Sequence, residues 1–140
     1  MKILIFGLPG SGKTTLAKPF AELIGGVHIN ADEVRTKYHD WDFSKEGRIR
    51  QAERMLYLAD GVVSAGKIAV ADFVAPTFLS RIKFKADFEV WMDTVEESRY
   101  EDTNAMFEKP KEYDYHVAKW FNDTHAQLLP VVQTWMERNV

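Results

Sequence analysis

The chain has 140 residues, 46% hydrophobic and 28% charged, with 18 basic against 21 acidic side chains and a formal net charge of −3. That length fits one domain, residues 1–140, around one core, and the slight acidity leaves no electrostatic footprint for long nucleic acid or a membrane surface. The lack of cysteine excludes disulfides, thiolate metal sites and cysteine nucleophiles.

The first element is Lys2-Ile3-Leu4-Ile5-Phe6, a short apolar run suited to a buried parallel strand. Gly7 and Pro9 cut the run short, so no secretory leader is expected. The next stretch, Gly7-Leu8-Pro9-Gly10-Ser11-Gly12-Lys13-Thr14-Thr15, fits the pattern G-x-x-x-x-G-K-[ST] without a mismatch. After it, Leu16, Ala17, Phe20, Leu23 and Ile24 recur at helical spacing. Strand, glycine-rich turn and helix together make a phosphate cradle. The glycines let backbone N–H groups point inward, and the helix N-terminus favours the anion. Gly10, Ser11, Gly12, Lys13, Thr14 and Thr15 are the expected nucleotide-binding residues. Lys13 reaches the terminal phosphates, and the Thr14 hydroxyl is placed to bind Mg²⁺. No Asn-Lys-x-Asp segment for guanine is present, which leans toward ATP.

The helix is expected to end at Gly25-Gly26, with Pro19 kinking or shortening it. Val27-His28-Ile29 reads as a strand, and Asn30 as the cap of a helix through Arg35. Tyr38 to Phe43 reads as a loop. Ser44 caps a long helix to about Ala65, with Ile49, Ala52, Leu56, Ala59 and Val63 as its apolar stripe. Ile68-Ala69-Val70-Ala71 is a strand finishing at Asp72. Pro76 suits the first turn of a short helix that contains Arg81. Phe88 to Met92 is a further strand, with Asp93-Thr94 as a cap. Glu96 to Phe107 is charged and partly helical, Tyr113 to Val117 is a last short strand, and Asn122 to Arg138 is a helix with Pro130 inside it. Strands and helices alternate from end to end. This predicts an open, mostly parallel α/β sheet with helices on both faces, whose ligands sit at the carboxyl ends of the strands.

Three polar groups fall at those ends. Asp32 is placed to orient or deprotonate an acceptor hydroxyl, or to hold Mg²⁺ through water. Arg35, three residues on, shares its helix face and suits an anion. The competing reading is a capped, solvated helix with a surface ion pair. Arg48, Arg50 and Arg54 form a second group, for which a solvated basic face is the more ordinary explanation. Asp72 closes a small apolar strand, as a second metal-binding residue of a P-loop NTPase does, although many buried strands end in Asp. Farther on, Arg99 lies where a mobile lid would place a charge over the transferring phosphoryl; an exposed charged helix is the alternative. Asp32, Arg35, Arg50, Asp72 and Arg99 are all expected on one side of the sheet, facing Lys13. The four histidines show no metal-ligand spacing. Trp41, Phe43 and Phe107 suit stacking on a nucleobase, or simply core packing.

Taken together these residues resemble the adenylylsulfate kinases. The resemblance rests on Gly7 to Ala17, Asn30 to Arg35, Phe43-Ser44 with Arg48 and Arg50, and Asp72 to Arg81. It covers about the first two-thirds of the chain. The family's Asp-Gly-Asp-Asn-x-Arg segment reads Asn30-Ala31-Asp32-Glu33-Val34-Arg35 here, so only the second acid, Asp32, is kept. Its strand ending Ser-x-x-Ser-Pro reads Asp72-Phe73-Val74-Ala75-Pro76, followed by Arg81. The family's Phe-Thr-Gly-Ile-Asp lid loop is not found. Arg99-Tyr100-Glu101-Asp102-Thr103-Asn104 with Met106-Phe107 resembles short members carried by tailed phages.

The resemblance implies the P-loop nucleotide-kinase fold and transfer of the γ-phosphoryl of ATP, with Mg²⁺, to a hydroxyl of adenylyl sulfate. Lys13, Asp32 and Arg99 would be catalytic, and Thr14 and Asp72 would hold the metal. Arg35, Phe43, Arg48, Arg50 and Arg81 would bind the acceptor. The expected partners are ATP and a small acceptor, and the expected place is the cytoplasm, of a host if the chain is phage-encoded. The sequence admits a homodimer without specifying one. Two other readings stay open: a kinase for a nucleoside, nucleotide or polynucleotide hydroxyl, and an NTP-binding switch without an acceptor.

Overall fold

The computed structural model describes residues 1–139. Among them, five short strands pair in parallel throughout, and the three central ones are apolar and largely buried, as strands covered on both faces are. They are β1 (Lys2–Gly7), β2 (Val27–Asn30), β3 (Ala69–Asp72), β4 (Phe88–Met92) and β5 (Tyr115–Val117), in the spatial order β2-β3-β1-β4-β5. The helices between and after them are α1 (Lys13–Ile24), α2 (Ala31–Tyr38), α3 (Lys45–Ser64), α4 (Phe78–Phe84), α5 (Glu101–Met106) and α6 (Thr124–Arg138). None is long and apolar enough to cross a membrane.

Successive side chains of β1 point to opposite faces. Ile3 and Ile5 pack with Leu16, Phe20, Leu128 and Val132 beneath α1 and α6. Leu4 and Phe6 pack with Met55, Ala59 and Phe84 beneath α3 and α4. Full burial of one such side chain contributes about 1.5–3 kcal/mol, so the two layers fix where the strand ends lie. The result is the three-layer α/β sandwich that the alternating pattern predicts.

Four local expectations are corrected. α1 runs through Pro19 without interruption and stops at Gly25, whose φ of 70° is left-handed. Pro19 removes one helix hydrogen bond, and the carbonyl it frees, that of Thr15, belongs to an exposed residue that water can reach. The buried line of α3 is Gly47, Gln51, Met55 and Ala59, and Ile49 is 43% exposed. A glycine and a glutamine on the inward line hide it from a hydrophobicity pattern, yet each has a reason. A Cβ at Gly47 would meet the Asp42 carbonyl at 2.1 Å, and Gln51 donates to the Ala31 carbonyl at 2.8 Å. Pro76 lies outside α4, because Thr77 and Ser80 form a reciprocal capping box one residue later. No helix starts directly after Asp93-Thr94; the next begins at Glu101. Instead Thr94 Oγ1 donates to the Ser11 carbonyl at 2.7 Å, tying the end of β4 to the glycine-rich turn.

Candidate active site

β1 and β3 are neighbours in the sheet, and the chain leaves them toward opposite edges, so a crevice forms beyond their carboxyl ends. The glycine-rich turn fills one wall of it. Gly10 (φ 84°) and Gly12 (φ 94°) take left-handed conformations that a side chain would strain. At Gly7 a Cβ would lie 2.5 Å from the Met92 carbonyl, so the close approach of β1 to β4 requires glycine. Gly12 is the N-cap of α1, which aims the positive end of that helix at the crevice. The ring of Trp120, a residue not singled out in the sequence, lies beside Gly12.

A cavity of about 990 Å³ opens here. Gly10, Gly12, Lys13, Thr14 and Thr15 line one end of it, while Ser11 is buried in the turn. Lys13 Nζ donates to the Leu8 carbonyl at 3.0 Å. Thr14 Oγ1 donates to Asp72 Oδ1 at 3.1 Å, which sets one hydroxyl and one carboxylate side by side on the floor. Asp32, in the first turn of α2, is exposed and lines the same cavity. Opposite the turn, Trp41, Phe43, Arg48, Arg99 and Asp102 complete the wall.

Burial pushes the Lys13 ammonium down to about 8, against the upward pull of Asp72 and Asp32. The protonated form is the one that attracts phosphate. The nucleotide-free protein therefore loses this attraction as pH rises through about 8. ATP-analogue affinity is expected to fall by up to roughly 30-fold from about pH 7 to about pH 9.5. Calorimetric titration at constant ionic strength checks this, and Lys13→Met should bind weakly with no such slope. Stability moves the other way. The unfolded chain binds more protons between 8 and 10.5, so the nucleotide-free fold gains stability with pH across that window.

Lys13, Asp32, Asp72, Phe43, Arg48 and Arg99 share the cavity, but three arginines expected there do not line it. Arg35 is 5% exposed; its Nη1 donates to the carbonyls of Asp40 and Asp42, and it stacks 4.2 Å from the Phe43 ring centroid. Arg50 pairs with Asp40 (3.1 Å) and Asp42 (2.8 Å). The Arg50 contact holds the Asp40 carboxyl below the usual carboxylate range, and hydrogen bonds from Ser44, with a smaller share from Arg50, do the same for Asp42. Arg81 is buried between the rings of Phe6 and Phe107, and donates to the carbonyls of Ala75 and Glu108. Desolvation lowers its guanidinium to about 10. Carbonyls and acids inside the chain thus consume these three cations. Phe107, considered for base stacking, packs against Arg81 instead.

Arg48 stays in the wall. Its Nε donates to the Phe43 carbonyl, and its Nη2 bridges to Thr103 (2.9 Å) and Asp102 (3.3 Å) on α5. Arg99 stands on a turn held by Asn104, whose amide makes three hydrogen bonds of 2.7–2.8 Å with Ser98. Asn30 does more than cap. Its Oδ1 accepts from Glu33 N at 3.0 Å while its Nδ2 donates to Thr14 Oγ1 at 3.0 Å. His28 reaches Asp72 from the same strand. Strand alternation from Asn30 back to His28 was the signal available for that contact. Among the described residues no three His, Asp or Glu side chains gather to hold a metal.

The family model for adenylylsulphate kinase matches residues 1–118. A probable adenylyl-sulfate kinase of Aeropyrum pernix is 34% identical over 80 residues, which cover 53% of this chain and 44% of the relative. The chain thus spans under half the length of the curated relatives it matches. Among solved structures, APS kinase of Mycobacterium tuberculosis in complex with AMPPNP and APS superposes with a TM-score of 0.76. It has 16% identity, covering 94% of this chain and 96% of that one. Shikimate kinase from Acinetobacter baumannii gives 0.63 at 18% identity, over 99% and 94% of the two chains. These likenesses establish the fold as that of the P-loop kinases.

Proposed function

Because the chain belongs to the adenylylsulphate kinase family, we propose that it moves the γ-phosphoryl of ATP to a hydroxyl of a small anionic acceptor of the adenylyl sulfate type. One observation carries this reading: Lys13, Asp32 and Arg99 face a single cavity whose floor is the Thr14–Asp72 pair. A switch protein has no need of a carboxylate and an arginine on the far side of its phosphate cradle.

The backbone of Gly10 to Thr15 and the Lys13 ammonium hold the phosphates. Asp32 orients the acceptor hydroxyl and takes its proton as the oxygen bonds to the γ-phosphorus. The bond to the β,γ-bridging oxygen breaks, and ADP leaves with the electron pair. Arg99 neutralises charge on the transferring oxygens, and Arg48 meets the acceptor's anion. One hydroxyl beside one carboxylate is a donor set that fits Mg²⁺, which keeps several waters and shares ligands with substrate phosphates. Thr14 and Asp72 would hold the ion, and when bound it supplies charge neutralisation on the β- and γ-phosphates. Arg35, Arg50 and Arg81 support the acceptor wall from behind by fixing the 40–43 loop and the 75–78 turn.

A second reading, phosphorylation of a nucleoside or modified-base hydroxyl, is favoured by the Trp41 and Phe43 rings. They face the cavity and are 53% and 49% exposed, while Arg35 and Arg50 are consumed internally. On either reading the protein works in the cytoplasm, and the Arg99-to-Phe107 segment resembles that of phage-borne members. The test is incubation with ATP, Mg²⁺ and adenylyl sulfate. Formation of ADP and a 3′-phosphorylated product in equal amounts supports the first reading, and ADP formation with adenosine but not adenylyl sulfate supports the second.

A further inference from the structure

Asp72 is 2% exposed, and three side chains converge on it. β2 and β3 pair with Asn30 opposite Asp72, and His28 lies two residues back on the same face of β2. Asn30 Nδ2 lies 3.3 Å from both carboxylate oxygens of Asp72. Its orientation is fixed independently, because its Oδ1 is engaged by Glu33 N as the cap of α2. His28 Nε2 is bonded to Asp72 Oδ2, and Thr14 Oγ1 donates to Oδ1. The histidine therefore secures one oxygen and leaves the other beside the P-loop hydroxyl. The ladder between β2 and β3 is made by the backbone, so these side-chain contacts are additional to it.

We propose that His28 and Asn30 are positioning residues that hold Asp72 Oδ1 against Thr14 for a divalent cation, and that positions 30 and 72 form one acid–amide unit whose acid serves from either strand. This rests on the kinase reading of the site but not on the identity of the acceptor. Partners that orient a metal-binding carboxylate commonly change metal affinity by tens of fold when lost. The register explains why the acid is interchangeable: residues facing each other across a parallel pair project their side chains into the same space. An aspartate at 30 would also keep the cap of α2.

The test uses the full chain as wild type, D72N, the exchange N30D/D72N, H28A and H28Q. Each is titrated with Mg²⁺ in the presence of a non-hydrolysable ATP analogue, and followed by thermal shift and calorimetry; phosphotransfer is assayed alongside. D72N should lose the Mg²⁺-dependent part of the stabilisation, and N30D/D72N should regain most of it. H28A should raise the Mg²⁺ half-saturation about ten-fold while metal-free analogue binding stays unchanged, and H28Q should restore it. An exchange variant no better than D72N overturns the proposal. So does an H28A protein with wild-type Mg²⁺ dependence, or one that loses metal-free binding to the same degree. Should H28A fail to fold, the exchange variant decides alone. An intact Mg²⁺ pattern without transfer to adenylyl sulfate defeats the acceptor reading and leaves this one; the reverse result does the opposite.

Discussion

Lys13→Ala is expected to lower phosphotransfer by about a thousand-fold or more in a protein that still folds. The ammonium is the one cation in the glycine-rich turn, and its Nζ is held to the Leu8 carbonyl at 3.0 Å. From there it can swing to phosphate without rebuilding the loop. Its burial disfavours the charge in the nucleotide-free state, so removing it should not destabilise that state. Thermal unfolding should show an unchanged or higher midpoint without nucleotide and a much smaller rise on adding an ATP analogue. An alanine variant that transfers phosphate at the wild-type rate would sink the cradle assignment.

Asp32→Asn is expected to cut kcat by roughly 10²- to 10⁴-fold, the range a positioned general base contributes, with KM for ATP changed by less than about two-fold. The amide keeps the size of the side chain but cannot take the hydroxyl proton. The fold should tolerate the change, since Asp32 is exposed in the first turn of α2. The helix-end charge it removes there is worth about 0.3–1 kcal/mol. Steady-state kinetics with varied ATP and varied acceptor make the measurement. Equal losses in ATP binding and turnover would assign Asp32 to the metal or to folding instead.

Most of the sheet was legible because buried parallel strands announce themselves as short apolar runs bounded by Gly or Asp. The glycine-rich turn was legible for a related reason: a phosphate cradle is local, and nine consecutive residues specify it. The rest of the cavity wall is assembled from segments far apart in the sequence, and there residue type misled. Arg35, Arg50 and Arg81 carry the charge an anion needs, but whether a cation is free depends on neighbours that spacing does not reveal. Asp40 and Asp42 take Arg50, backbone carbonyls take Arg35, and Arg81 lies under aromatic rings. Conversely, His28 looked inert because it has no partner within its own segment. Its partner, Asp72, is 44 residues away in sequence and appears only once β2 and β3 are in register. The buried line of α3 was missed through the same limit, since Gly47 and Gln51 face inward for steric and hydrogen-bonding reasons that a count of apolar residues passes over.

On the kinase reading, the cavity joins a phosphoryl donor to a hydroxyl acceptor. The most direct test of that reading is the fate of label from γ-labelled ATP with Mg²⁺ and, in turn, adenylyl sulfate, nucleosides and DNA bearing hydroxymethylated bases. Label should appear in an acid-stable ester with one acceptor class, Asp32→Asn should suppress this product, and little label should be released to water. Label recovered only as inorganic phosphate, at a rate no acceptor changes, would contradict the kinase reading.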